Sequence, residues 1–143
     1  MQLEIADTVY IMAYFRLSDP LHSEAINIIE GLGSHRKVSQ ASLLELDLLM
    51  KSRGFTPAER LKTWILLEKV IPIEAVEVLN PQDFTVATVL TEKYGLDYFD
   101  ALVAAQCITR NAKPVTTDED IIEAVSKTSK DKLLSELKNL HKE

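Results

Sequence analysis

The chain has 143 residues, 46% hydrophobic and 27% charged, a balance that argues against disorder and suits one compact domain with a single core. Its net charge of -6, from 16 basic and 22 acidic residues, argues against a protein that coats nucleic acid nonspecifically. Any nucleic acid must meet a local basic patch or a cation that masks the acids. The one cysteine, Cys107, permits no intramolecular disulfide and suits a reducing, cytoplasmic setting. No apolar run approaches the ~20 residues of a membrane span.

"QLEIA" (2–6) reads as a short strand with Leu3 and Ile5 on one side. "TVYIMAYFRL" follows with helical spacing. Glu4, Asp7 and the lack of a basic lead set this start apart from a signal peptide. "DPLHSEAINIIEGLG" predicts a helix with Pro20 at its start. Ala25, Ile28, Ile29 and Leu32 form its apolar stripe, and Gly31 and Gly33 end it. "RKVSQ" (36–40) is a second strand. "SLLELDLLMKSRGF" is a helix that stops at Gly54. "TPAERLKTWILLEKV" is another, with Thr56 as N-cap, Pro57 at the first position and Glu59 completing a capping box.

"VIPIE" (70–74) reads as a third strand, with Pro72 pointing to a sheet edge. "PQDFTVATVLTEKYG" predicts a helix ending at Gly95. "GLDYFDALVAAQC" (95–107) opens the next, with Asp97 as N-cap and a small apolar face. "AKPVTT" (112–117) is a fourth strand, "DEDIIEAV" a short helix, and "SKDKLLSELKNLHKE" a charged amphipathic helix running to the end. Strands alternating with helices predict an α/β fold with a parallel sheet covered on both faces.

In such a sheet, ligands bind at the carboxyl ends of the strands near a topological switch point. Asp7 and Asp118 each follow a strand immediately. Asp100 sits at the edge of a face built for the core, and Glu45 is flanked by Leu43, Leu44, Leu46 and Leu48. Each acid alone has a plain reading as a cap, a dipole partner or an exposed helix residue. Four acids from four segments converging on one rim is the sharper reading. Two carboxylates ~4 Å apart repel by ~4 kcal/mol at an effective dielectric near 20. No Lys or Arg adjoins Asp7, Glu45 or Asp100 in sequence. Oxygen ligands without His or Cys favour Mg²⁺ or Mn²⁺. Asp19, Asp47, Asp83 and Asp120 read as caps or solvated residues, while His22, His35 and His141 lack metal-ligand spacing and read as surface residues.

Four motifs in order resemble the PIN-domain family: "IADTVYIM", "SLLEL", "DALVAAQC" and "PVTTDEDI". The match spans residues 1 to about 125 and is nearest to small VapC-like toxins of prokaryotes. The resemblance implies a Rossmann-like fold with a mostly parallel sheet of four to five strands. It also implies metal-dependent cleavage of RNA by an endoribonuclease, with Mg²⁺ or Mn²⁺ as cofactor and an antitoxin as a possible partner. Carried across by motif, Asp7, Glu45, Asp100 and Asp118 are the catalytic, metal-binding acids, and Thr8 and Thr116 the supporting hydroxyls. Residues 1–125 form the expected catalytic domain, and 126–143 a charged helix packed on it or extending it.

Met50, Phe55, Trp64, Ile65 and Leu67 lie on the hairpin 41–69 and serve either the core or pairing with a second copy, so a homodimer is expected. Lys51, Arg53, Arg60 and Lys62 on the same hairpin read as a solvated face that could track an RNA backbone. One rival is a PIN scaffold that binds RNA or a partner without cutting. Another is an aspartate phosphotransfer protein, against which stands the lack of an Asp-x-Asp pair in "ADTVY".

Overall fold

The computed structural model describes residues 2–141. Four strands, β1 (Glu4–Ala6), β2 (Arg36–Ser39), β3 (Val76–Glu77) and β4 (Lys113–Val115), form an all-parallel sheet in the order β3-β2-β1-β4. Eight helices surround it: α1 (Thr8–Tyr14), α2 (His22–Glu30), α3 (Gln40–Ser52), α4 (Pro57–Val70), α5 (Pro81–Tyr94), α6 (Tyr98–Thr109), α7 (Glu119–Lys127) and α8 (Lys130–His141). Among the described residues, no helix is long and apolar enough to cross a membrane.

The two-residue period of a strand explains the layering. On β1, Ile5 and Ala6 are both fully buried but belong to different clusters. Ile5 joins side chains from α5, α6 and α7 together with Leu133 of α8. Ala6 and Val38 join those of α1, α2, α3 and α4. Every residue of α6 from Ala101 to Thr109 is buried, which is how a helix with apolar or small side chains all round must sit. Gly95 ends α5 at φ +69°, a left-handed C-cap that only glycine adopts readily.

The structure departs from the sequence reading in two places. The third strand is Val76–Glu77, not 70–74. Val70 instead ends α4, and Pro72 precedes a 3₁₀ turn at Ile73–Ala75. The inward stripe of α4, with Leu67 and Ile71 buried, outweighs the β-branched composition of that run. β3 does lie at the sheet edge. Helix α2 starts at His22, because the Asp19 carboxylate accepts the Leu21 N–H at 2.9 Å and holds Pro20 in a preceding turn. The sheet has four strands among the described residues, and 130–141 is helical. The expected run of that helix past His141 lies outside the described residues.

The α5–α6 pair is locked by a buried ion pair. Asp83, fully buried, receives the Arg110 guanidinium on both oxygens, at 2.6 and 3.0 Å. Arg110 also donates to Glu77 at 2.6 Å. Burial pushes the Asp83 carboxyl up, but the Arg110 and Asn80 hydrogen bonds outweigh it and hold it below the usual range. Arg110→Ala is expected to destabilise the protein by about 3–5 kcal/mol in urea denaturation, since it strands a buried carboxylate. Asp83's contribution is present above the unfolded carboxylate pKa and is lost as pH falls through the lower folded value. The deficit of the variant is therefore expected to shrink in acid.

Candidate active site

The chain passes from β1 outward to β2 and β3, then crosses back to β4 on the other side of β1. The crevice at the carboxyl ends of β1 and β4 is therefore the switch point. Asp7 leaves β1 there as the N-cap of α1, its Oδ1 accepting the Thr8 N–H at 2.7 Å. Its Oδ2 accepts the Thr116 hydroxyl, just past β4, at 2.9 Å. The same hydroxyl oxygen accepts the Asp118 N–H at 3.0 Å. Asp118 then caps α7, accepting the N–H groups of Asp120 and Ile121. Thr116 thus clamps the two acid-bearing ends together.

Glu45 comes from the second turn of α3 and accepts the Thr8 hydroxyl at 2.5 Å. The start of α3 is held from beneath. Ser39 caps it by accepting the Ala41 N–H at 3.0 Å and donates its own hydroxyl to Gln106 at 2.6 Å. Gln106 donates in turn to the Glu77 carbonyl at 3.1 Å. A fully buried glutamine on α6 therefore ties the acid-bearing end of α3 to the helix that carries Asp100. Nothing in the sequence marked Gln106 out from the small residues around it.

The carboxylates act on one another. Burial raises the pKa of Asp7, its hydrogen bonds from Thr8 and Thr116 oppose the rise, and the charge of Asp118 adds to it. Burial also raises Glu45, opposed by the Thr8 hydroxyl and reinforced by the charges of Asp7 and Asp97. Asp100 is pushed up to about 8, first by burial, then by its hydrogen bond with Asp97 and the charges of Asp97, Asp7 and Asp118. Asp7 is thus within electrostatic reach of Glu45, Asp100 and Asp118, and Asp97 within reach of Glu45 and Asp100. Asp97 also performs its expected capping, with its carboxylate 3.4 Å from the Asp100 N–H. The cap explained Asp97 fully at the level of sequence, which hid its second role.

Five carboxylates from four segments have no ion-paired Lys or Arg among the described residues. Two threonine hydroxyls complete an all-oxygen surrounding, which suits a hard divalent cation. Among the described residues, no three His, Cys, Asp or Glu side chains already close into a metal cage. The fit is one of donor chemistry and of charge needing to be neutralised.

The other candidates separate from this group. Asp47 is held by a bidentate Arg60 and by the Trp64 N–H, so Arg60 is engaged within the hairpin. Asp120 is exposed. The His22 Nδ1 lies 2.9 Å from the Ala13 carbonyl, His35 is exposed, and the side chain of His141 lies outside the described residues. Cys107 is buried, which pushes its thiol up to about 12 and makes it inert.

Three solved structures share this architecture. One is Mycobacterium tuberculosis VapC20, a toxin that cleaves the sarcin-ricin loop (TM-score 0.61, 20% identity, 85% of this chain and 94% of that one). Another is VapBC2 of Rickettsia felis bound to a fragment of its promoter DNA (0.58, 15%, 81% and 87%). A third is a toxin–antitoxin complex from Klebsiella pneumoniae (0.56, 16%, 80% and 86%). At these identities the likeness is one of fold. No curated protein is matched by the sequence. The model of the PIN domain, in contrast, matches residues 5–127, and with that span the chain belongs to the PIN-domain family.

Proposed function

We propose that the protein is a Mg²⁺- or Mn²⁺-dependent endoribonuclease of the VapC kind, the toxin of a toxin–antitoxin pair working in the cytoplasm. The observation that carries this reading is the group of mutually repelling carboxylates at the switch point, with no paired cation among the described residues. The toxins among its structural neighbours support it. Residues 1–125 would form the catalytic domain and 126–143 an accessory helix of it.

Asp7, Asp100, Asp118 and Glu45 would hold the ion. When bound, it supplies positive charge for a phosphodiester and lowers the pKa of a water molecule. Asp7 is the fixed member, because Thr8 and Thr116 satisfy both of its oxygens. Thr8 orients Glu45, which directs the attacking water and takes its proton. Asp97 and Asp100 share a hydrogen bond, so a proton held there would leave as positive charge arrives.

A homodimer fits the surface. Leu44 and Leu48 on α3 and Leu61 and Ile65 on α4 are 45–61% exposed, four large apolar side chains on the hairpin expected to pair. Met50 and Leu67 of the same hairpin are buried and serve the core instead. Light scattering at ~10 µM, a working range for a modest interface, is expected to show twice the monomer mass. A monomer there contradicts the dimer.

RNA cleavage is expected with Mn²⁺ and Mg²⁺ and is expected to vanish in EDTA. Cutting that survives EDTA contradicts the mechanism, and RNA binding without cutting assigns the scaffold reading. Asp100→Asn is expected to lower the cleavage rate by roughly 10²-fold, the scale of losing one preorganised electrostatic group.

The same variant has an opposite effect on stability. Asp100 moves from an ordinary 3.8 to about 8 on folding, so the folded state binds its proton more tightly than the unfolded one. Ionised Asp100 therefore costs stability, increasingly as pH rises through that window. Without divalent ions, Asp100→Asn is expected to melt higher than the unaltered protein at pH 8 and to lose that advantage towards pH 4. Thermal melts at the two pH values check this. A variant that melts lower at both would make Asp100 an ordinary helix-start residue.

A further inference from the structure

A small pocket that none of the roles above uses lies towards the far ends of the two helices that carry Thr8 and Glu45 near their starts. It opens where α1 ends and where α3 turns into α4. Met12 and Leu49 contribute to its apolar lining, and Phe15 and Phe55, 37% and 40% exposed, leave ring surface open. Arg16 and Arg53 line it as well. Its volume of about 110 Å³ is too small to enclose a drug-sized ligand, which takes roughly 300 Å³ or more, but suits one flat ring entering from the surface.

Its position follows from the fold. α1 and α3 leave neighbouring parallel strands, and the Thr8–Glu45 hydrogen bond joins their starts. At 1.5 Å per residue, Phe15 and Arg16 lie ~12–14 Å beyond Asp7 along α1 and Arg53 ~12 Å beyond Glu45 along α3. A strand of nucleic acid lying at the acids would reach the pocket within a few nucleotides.

Charge identifies the occupant. The chain has five arginines. Arg36, Arg60 and Arg110 are each held by a carboxylate. Arg16 and Arg53 have no ion pair among the described residues, and both line this pocket. A chain of net charge -6 thus places its two uncommitted guanidiniums beside two open phenyl rings, on the two helices that begin at the acid cluster. Aromatic faces take up unpaired bases, and arginines take up the phosphates on either side.

The geometry points to a subsite for single-stranded RNA, in which an unpaired base packs against Phe15 and Phe55 while Arg16 and Arg53 bind the flanking phosphates. It rests on the nuclease reading and deepens it, because it makes an unpaired segment beside the cut a condition of tight binding. Arg60, engaged with Asp47, is not part of it.

The test is binding of a short unstructured oligoribonucleotide carrying one 2-aminopurine, with Ca²⁺ in place of Mn²⁺ so that affinity is read without cutting. The unaltered protein is expected to bind it and quench the base. Replacing both phenylalanines (Phe15→Leu with Phe55→Leu) keeps the pocket apolar and is expected to raise Kd about tenfold and abolish quenching. Arg16→Gln with Arg53→Gln is expected to weaken binding and to reduce the slope of log K against log salt by about 1.4, the value for two single-strand phosphates. Unchanged affinity in both variants, equal affinity for a duplex of the same sequence, or no binding by the unaltered protein overturns the subsite. Loss of dimer mass with RNA affinity intact assigns the pocket to a protein contact and overturns it as well. Cleavage in Mn²⁺ is followed in parallel. Cutting with pocket-independent affinity leaves the nuclease standing without the subsite, and pocket-dependent binding without cutting leaves the subsite standing without the nuclease.

Discussion

The structure depends on a repulsion that it does not relieve. Burial and the charges of neighbouring acids, Asp97 and Asp118 among them, raise the proton affinity of Asp7, Glu45 and Asp100, and no Lys or Arg among the described residues is ion-paired with any of the five. A group of this kind is unfavourable for folding, so the rest of the domain must hold it in place. The means are local and inexpensive. Asp7, Asp97 and Asp118 are each the N-cap of a helix, so the positive end of a helix meets a negative side chain at each. Thr8 and Thr116 supply hydroxyls to the acids that backbone N–H groups do not fully satisfy.

The elements beneath the rim are built to resist it. α6 packs small side chains against β1 and α5, which lets the helix carrying Asp97 and Asp100 approach the sheet closely. The hydrogen bonds from Ser39 to Gln106 and from Gln106 to the Glu77 carbonyl fix that helix relative to α3. Arg110 anchors its far end through Asp83 and Glu77. Charge that is left unpaired at the rim is thus countered by charge that is tightly paired at the opposite end of the same helix.

Much of the architecture was legible because its signals are local. The capping box at Thr56 and the helix stop at Gly95 need only a few neighbouring residues. β3 was misplaced because a strand of two residues has no periodicity to read, while the apolar run before it resembles a strand and serves as the end of α4. Asp7 and Asp118 stood out because each directly follows a strand. Asp97 did not, because one satisfying role conceals another. Asp83 read as a solvated cap, and its burial under Arg110 depends on a partner 27 residues away, beyond the reach of any local pattern. Arg16 was passed over for the same reason. Only the packing of α1 against α3 places it in a pocket with Arg53.

The central claim is that the five carboxylates form one unit awaiting a divalent cation. Calorimetric titration of Mn²⁺ into the protein, without RNA and in two buffers of different ionisation enthalpy at neutral pH, addresses it directly. Asp100, pushed up to about 8, carries a proton under these conditions. The account predicts saturable binding whose heat differs between the buffers, because that proton leaves as the ion enters. No saturable heat in either buffer, or binding that releases no proton, would contradict it.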